Sequence, residues 1–393
     1  MYIIIMIFTP IRPKEKFLVF GAPAIGNEEI EEVAATLKSG WIGTGPRVAA
    51  FETAIKTFKN ADHVAAVNSC NAALHLSILA ANIGPGDEVI TTAMTFCATV
   101  NAIIHTGATP VLADIEPRSM NIDPREIINK ITPRTRAIVP VHFAGLPCDM
   151  DSIMNIARAH NLKIIEDCAH AIETEYKGGK AGTFGDFGCL SFYVTKNITT
   201  GEGGMVLAKR EEDIARIKTL ALHGMTKDAW KRFSDEGYKH YRVVEAGFKY
   251  NMTDIQAAIG IHQLKRIETY WERRRIIWNR YREEFQNLPL TIPTQPPADC
   301  RHGYHLFILR ISKAMSGISR DDFLDAMTRN NIGVGVHYLS IPEHPYYQQR
   351  FGWKPRDYPH AMNLGRETVS LPFSPKLSDE DVNDVIAAVR NIF

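Results

Sequence analysis

Between about residue 60 and residue 210 the chain alternates short β-branched runs with amphipathic helical stretches, and that alternation admits few folds. DHVAAV leads into a helix starting near Asn71, and DEVITT, TPVLADI, TRAIVPVHF, a helix over residues 151–160 and LKIIED follow in order. Gly or Pro punctuates nearly every junction. Strands joined through helices pair in parallel, so the expectation is an α/β unit with a mostly parallel sheet covered on both faces. After GDFGCLSFYV the chain enters the polar, Gly-rich turn TKNITTGEGG and returns as the strand MVLAK. A long helical pattern then runs over residues 253–288, capped by Thr253 or Asp254. The Pro-rich residues 290–298 form a hinge toward strand HLFILRI, a helix over residues 320–330 and a last helix after LSDED. The domain assignment is a large unit over residues 14–265 and a smaller C-terminal α+β unit over residues 266–393.

At 393 residues, with 45% hydrophobic and 23% charged content, the chain can bury more than one core. Its formal net charge of +1 supplies no global field for nucleic acid or an anionic membrane, so any bound anion must be held locally. The six cysteines are scattered without metal-site spacing and fit a reducing, cytoplasmic setting. The opening MYIIIMIF is too short for a membrane span and is expected as a strand, or as an extension ahead of a start at Met6. Residues 224–244, basic and partly aromatic with weak periodicity, are expected as a mobile loop.

Open α/β sheets place ligands at the carboxyl ends of their strands, and four polar features fall there. NSCNAALH is a strand end running into a helix start, where the N–H groups of Asn71, Ala72 and Ala73 can face a phosphate, with Ser69 and Asn71 as side-chain donors. Such a segment is equally an ordinary helix cap. TTAMTFCAT sets Phe96 after a strand, where an aromatic is by default core. IIEDCAHA puts Asp167 at a strand end as a helix cap or a positioned charge, with His170 just beyond. SFYVTKNITTGEGG closes a strand at Ser191 and carries Lys196 into a Gly-flanked turn, an unusual place for a solubilising lysine. Together these are the parts needed to hold pyridoxal phosphate (PLP), which requires a Schiff-base lysine and an acid beside the pyridinium nitrogen.

The runs EDCAHA, GDFGCLSFYVTKNITTGEGGMV, HGMTKDAWKRF and GFKYNMTDIQAAIG strongly resemble the DegT-like family of PLP-dependent sugar aminotransferases, of fold type I. The likeness extends from GAPAIGNEEIEEV and SGWIGTGPRVAAFE to VHYLSIPEHPYY and ETVSLPFSPKLSDEDV. It implies Lys196 as the Schiff-base lysine and proton-moving base, Asp167 as partner of the ring nitrogen, and His170 close to the ring and its 3′ oxygen. By the same resemblance Phe96 stacks on the ring, and Cys70, Asn71, Ala72 and Ser191 hold the phosphate. The sequence has Asn71 where the family commonly carries a hydroxyl residue, so either its amide or only its N–H serves. Asn251, with Lys249, matches the stretch that reaches the phosphate from the second subunit of a homodimer. Gly43 and Thr44, in a loop that is otherwise a plain turn, match a family segment near the substrate.

The family's substrates imply a nucleotide-linked keto-sugar as acceptor, L-glutamate as the usual donor and a place in polysaccharide biosynthesis. Lys231 and Arg232 suit the diphosphate, and His305 and His337 are expected to face the substrate. His302 and His305 lack further ligands, and no metal is expected. A sugar dehydratase of the same fold lacks the lysine that is present here as Lys196. A PLP-binding sensor is the alternative from another class. A nicotinamide oxidoreductase finds no G-x-G-x-x-G after the first strand.

Overall fold

A computed structural model describes residues 9–226 and 241–393. The opening MYIIIMIF and most of the segment expected as a mobile loop, with Lys231 and Arg232, lie outside the described residues. Among the described residues seven strands form the main sheet: β1 His63–Val67, β2 Glu88–Thr92, β3 Thr109–Ala113, β4 Thr135–Val139, β5 Lys163–Asp167, β6 Phe187–Ser191 and β7 Gly204–Ala208. Their spatial order is β1-β7-β6-β5-β4-β2-β3.

β7 pairs antiparallel with both β1 and β6, while every other pairing is parallel. The expectation of a mostly parallel sheet therefore holds, with β7 as the reversed strand. Its reversal follows from the connection: residues 192–203 carry no crossover helix, and a chain that turns back directly must pair antiparallel.

Helices cover both faces. On one side α3 (Cys70–Ala80) and α4 (Cys97–His105) pack Leu74, Ile78 and Ile103 against Val67, Val89, Val139, Ile165, Phe187 and Val206. On the other, α2 (Pro46–Lys59) and α8 (Asp254–Lys265) set Phe51, Ile55, Ala257 and Leu264 against Leu190, Met205 and Leu207. β5 and β6 are buried almost throughout, as strands covered on both faces must be.

The single helical pattern read over residues 253–288 is two helices, α8 and α9 (Ile267–Phe285), meeting at Arg266. Thr253 is the N-cap and forms a capping box with Gln256. The break has a tertiary cause that the sequence pattern does not contain: Arg266 leaves helical geometry (φ −101°, ψ 5°) and pairs with Glu28 and Glu29 of α1 (Asn27–Ser39).

A second core collects Ile277, Trp278, Tyr281 and Phe285 of α9 around the two-stranded sheet β8 (Phe307–Arg310) and β9 (Thr368–Leu371). Phe323 and Met327 of α10 (Arg320–Arg329) and Val385 and Val389 of α11 (Asp379–Ile392) complete it. Leu18 also enters this core, through a bridge to Ile332.

One glycine couples the sheet to the site. A Cβ on Gly204 would lie 2.4 Å from the Ser69 carbonyl oxygen and 2.7 Å from the Cys70 nitrogen, so the start of α3 rests directly on β7. Gly204→Ala is expected to destabilise the chain by about 1–3 kcal/mol through overpacking against backbone. Thermal denaturation checks this, and an unchanged midpoint would mean that the α3 start moves without cost.

Candidate active site

The register of three strands brings the site together. Val67 and Ser191 are both paired with Gly204, and Asp167 is paired with Cys189, so the ends of β1, β5 and β6 lie side by side at one edge of the sheet. Lys196 sits in the turn that leaves β6, its N–H bonded to the Tyr193 carbonyl at 2.9 Å. A cavity of about 530 Å³ opens there, bordered by Asn71, Phe96, Asp167, His170, Ser191 and Lys196. The size suits a small-molecule cofactor.

Asp167 is buried, and each oxygen already accepts one hydrogen bond: Oδ1 from the Ala169 N–H at 3.1 Å and Oδ2 from the Thr99 hydroxyl at 2.8 Å. Because Thr99 gives its proton to Asp167, the 2.8 Å contact between Thr95 and Thr99 must run from the Thr95 hydroxyl. Burial raises the Asp167 pKa above the ordinary carboxyl range despite the charge of Lys196 nearby, and among the described residues no cation forms an ion pair with it. Lys196 is partly accessible at the cleft yet deep enough that desolvation lowers its pKa to about 8.

His170 Nδ1 accepts from the Ala144 N–H at 3.3 Å, so its proton sits on Nε2 and is donated to the Tyr338 hydroxyl at 3.1 Å. Burial drives its pKa well below the usual histidine value and keeps the ring neutral. Phe96 is not core. It is 56% exposed, with its ring on the cavity and 5.8 Å from Tyr338.

The helix start corrects part of the phosphate reading. The Ala72 N–H donates to Ser69 Oγ at 3.1 Å and the Ala73 N–H to the Ser69 carbonyl at 3.0 Å, so neither is free. Ser69 is a strong N-cap, and capping consumes those donors. Among the described residues, the N–H groups of Cys70 and Asn71 remain without acceptors, and Asn71 Oδ1 is buried without a partner.

Other expected residues lie apart from this cavity within the chain. Asn251 donates to Thr44 Oγ1 at 2.7 Å, which joins it to the Gly43–Thr44 loop, and Lys249 is exposed beside it. His305 borders a smaller cleft that also holds Lys196. His337 bonds Ser370 at 2.8 Å and stacks on Phe20, with burial lowering its pKa to about 4. Thr99 and Tyr338 went unnoticed in the sequence. Thr99 lies one helical turn after Phe96, and Tyr338 adjoins the noted His337.

His142, Glu166 and Cys168 approach closely enough to hold a metal ion. The polar atoms of two of them are already used, since Glu166 accepts from Gly182, Phe184, Gly185 and His142, and His142 Nδ1 accepts from Cys148. Glu166 and His142 thereby brace the segment beneath Asp167.

The DegT/DnrJ/EryC1/StrS aminotransferase family matches residues 23–390. The chain belongs to this family. Membership in the DegT/DnrJ/EryC1/StrS group is supported by a spore coat polysaccharide biosynthesis protein, SpsC of Bacillus subtilis (strain 168), 49% identical over 383 residues that cover 97% of this chain and 98% of that one. The putative sugar aminotransferase Spr1654 from Streptococcus pneumoniae, solved in a PMP form, superposes with a TM-score of 0.89 at 34% identity, covering 95% of this chain and 98% of that chain. A PLP form of the same protein is also similar. Helicobacter pylori PseC, an aminotransferase involved in the biosynthesis of pseudoaminic acid, has a TM-score of 0.88 at 29% identity, covering 96% and 99% of the two chains. The fold of this family member is that of the fold-type I PLP-dependent enzymes.

Proposed function

We propose that this PLP-dependent sugar aminotransferase takes an amino group from an amino acid, L-glutamate first among donors, and delivers it to the keto carbon of a nucleotide-linked sugar. The observation that carries the reading is the convergence of Lys196, Asp167, His170 and the α3 start on one cavity.

The donor set fits PLP. The unpaired N–H groups at the α3 start suit a phosphate dianion. The buried, cation-seeking Asp167 suits a protonated ring nitrogen, and the exposed Phe96 suits a flat ring to stack upon. When bound, PLP supplies an electron sink for breaking bonds at the substrate's amino-bearing carbon. Asp167 would hold a proton on the ring nitrogen, its carboxylate being fixed in orientation by the Thr99 hydroxyl and the Ala169 N–H. Lys196, with its lowered pKa, is the amine that carries a proton to and from the substrate carbon. His170 stays neutral where it borders the same cavity.

The enzyme is proposed to work as a cytoplasmic homodimer, with Asn251 and Lys249 reaching the partner's phosphate site. Gly43, Thr44, Lys231, Arg232, His305 and His337 are assigned to the sugar nucleotide. Phe96→Ala is expected to leave the apoprotein within about 0.5 kcal/mol of the parent, as an exposed ring should. It should weaken PLP retention by roughly 2- to 13-fold, the equivalent of about 0.5–1.5 kcal/mol of ring stacking. Equilibrium PLP titration reads both the loss and its size.

The deciding experiment is glutamate-dependent amination of UDP-, GDP- and dTDP-linked 3-keto and 4-keto sugars, with product structure giving the carbon. No product from any member, together with no spectral response to any amino donor, would refute the reading.

A further inference from the structure

Behind Lys196 lies a run of buried polar groups that the proposed chemistry does not use. Asn197, the next residue, donates from its amide nitrogen to Glu173 Oε2 at 2.7 Å and to the Gly303 carbonyl at 2.7 Å. Its Oδ1 meets His305 Nδ1 at 2.9 Å. These partners fix the amide's orientation, because a flip would set Oδ1 against a carboxylate and a carbonyl. Oδ1 can only accept, so His305 Nδ1 carries a proton. Glu173 is itself anchored by the guanidinium of Arg274, and both are fully buried.

The neighbouring ring is set in the opposite sense. His170 accepts at Nδ1 and donates from Nε2, whereas His305 donates at Nδ1 and keeps a bare Nε2. Their centroids are 4.3 Å apart. Burial pushes both far below the usual histidine value, with the charge of Lys196 acting in the same direction. Neither ring is charged near neutral pH, so tautomer decides what each offers. The ring of His305 borders a cleft of about 30 Å³ shared with Lys196, Gln263 and Tyr270, room for only a water or two.

We propose that Glu173 and Asn197 are positioning residues that lock His305 as its Nδ1–H tautomer, so that Nε2 is kept a bare acceptor beside the cleft that His305 shares with Lys196. The proposal rests on Lys196 being the reacting amine. A bare Nε2 can accept from that amine, directly or through a water in the cleft, as the side chain moves during turnover, whereas the other tautomer would present a donor to a donor. Glu173 acts through Asn197, and Asn197 acts through His305.

The test begins with the apoenzyme, labelled with ¹⁵N-histidine, so that it reads the lock independently of which sugar is aminated. The His305 signals are identified by their loss in His305→Gln. Near neutral pH the wild-type ring is expected to show a protonated Nδ1 and a bare Nε2. Asn197→Ala is expected to show mixed tautomers. Glu173→Gln should retain the lock, because a glutamine oxygen still accepts from Asn197. With PLP bound, Asn197→Ala should lose about 10- to 100-fold in kcat, at the lower end of what a placed proton-transfer group contributes, with KM for both substrates little changed. A wild-type His305 protonated at Nε2 would overturn the proposal without needing any variant. So would a lock that survives Asn197→Ala, or an unchanged kcat in that variant.

Discussion

Lys196→Ala is expected to lose at least about 10⁴-fold in transamination kcat, since it removes both the covalent anchor and the base in one step. The fold should tolerate the change. Among the described residues no carboxylate forms an ion pair with Lys196, and its cation is desolvated, so truncation removes an unfavourable burial. The measurement is kcat with glutamate and a responsive keto-sugar, alongside the thermal midpoint and the visible absorption of lysine-bound PLP. Lys196→Arg should be equally inactive, because a guanidinium does not lose its proton near neutrality. Residual turnover within tenfold of wild type would remove Lys196 from the chemistry. The lowered pKa adds a pH signature. Only the neutral amine attacks a carbonyl, so PLP uptake by the apoenzyme should accelerate with rising pH and level above about 8, not above the usual lysine range.

The site was legible to the extent that it sits at strand ends. Asp167, Ser191 and the α3 start each follow a recognisable β run, and the parallel register then aligns them without further instruction. What escaped the sequence belongs to contacts between segments distant in the chain. Thr99 orients Asp167 across 68 residues, Tyr338 meets His170 across 168, and Asn197 meets His305 across 108. No periodicity encodes such pairs. The break at Arg266 is hidden for the same reason, since its cause is a pair of glutamates on α1. The reading of free N–H groups at Ala72 and Ala73 failed locally instead: Ser69 was noted as a donor, but as an N-cap its oxygens accept. Phe96 shows the reverse case. Its default reading as core fails, because the ring is exposed on the cavity.

Asp167→Asn is expected to separate stability from catalysis. In the apoprotein burial raises the pKa of Asp167, so between the unfolded value and the folded one the native state binds more protons than the unfolded state. Stability from this group therefore falls as pH rises through that window, and the penalty is fully present above it. Asparagine removes that pH-dependent penalty, but its single amide oxygen can accept from only one of Thr99 and Ala169, which costs about 1–3 kcal/mol at every pH, so the apoprotein's melting temperature should lose the decline with rising pH that Asp167 imposes. With PLP bound the balance reverses. A cationic ring nitrogen supplies the partner that Asp167 lacks, and losing one member of a buried charge pair costs about 3–5 kcal/mol. If that cost falls on the transition state, kcat drops by about 10²- to 10⁴-fold. The rise in thermal midpoint on adding PLP should shrink in Asp167→Asn by a matching margin. Parallel melts of apo and loaded protein, with kcat on the same samples, check both halves. A variant that destabilises the apoprotein while leaving kcat intact would make Asp167 a structural cap and nothing more.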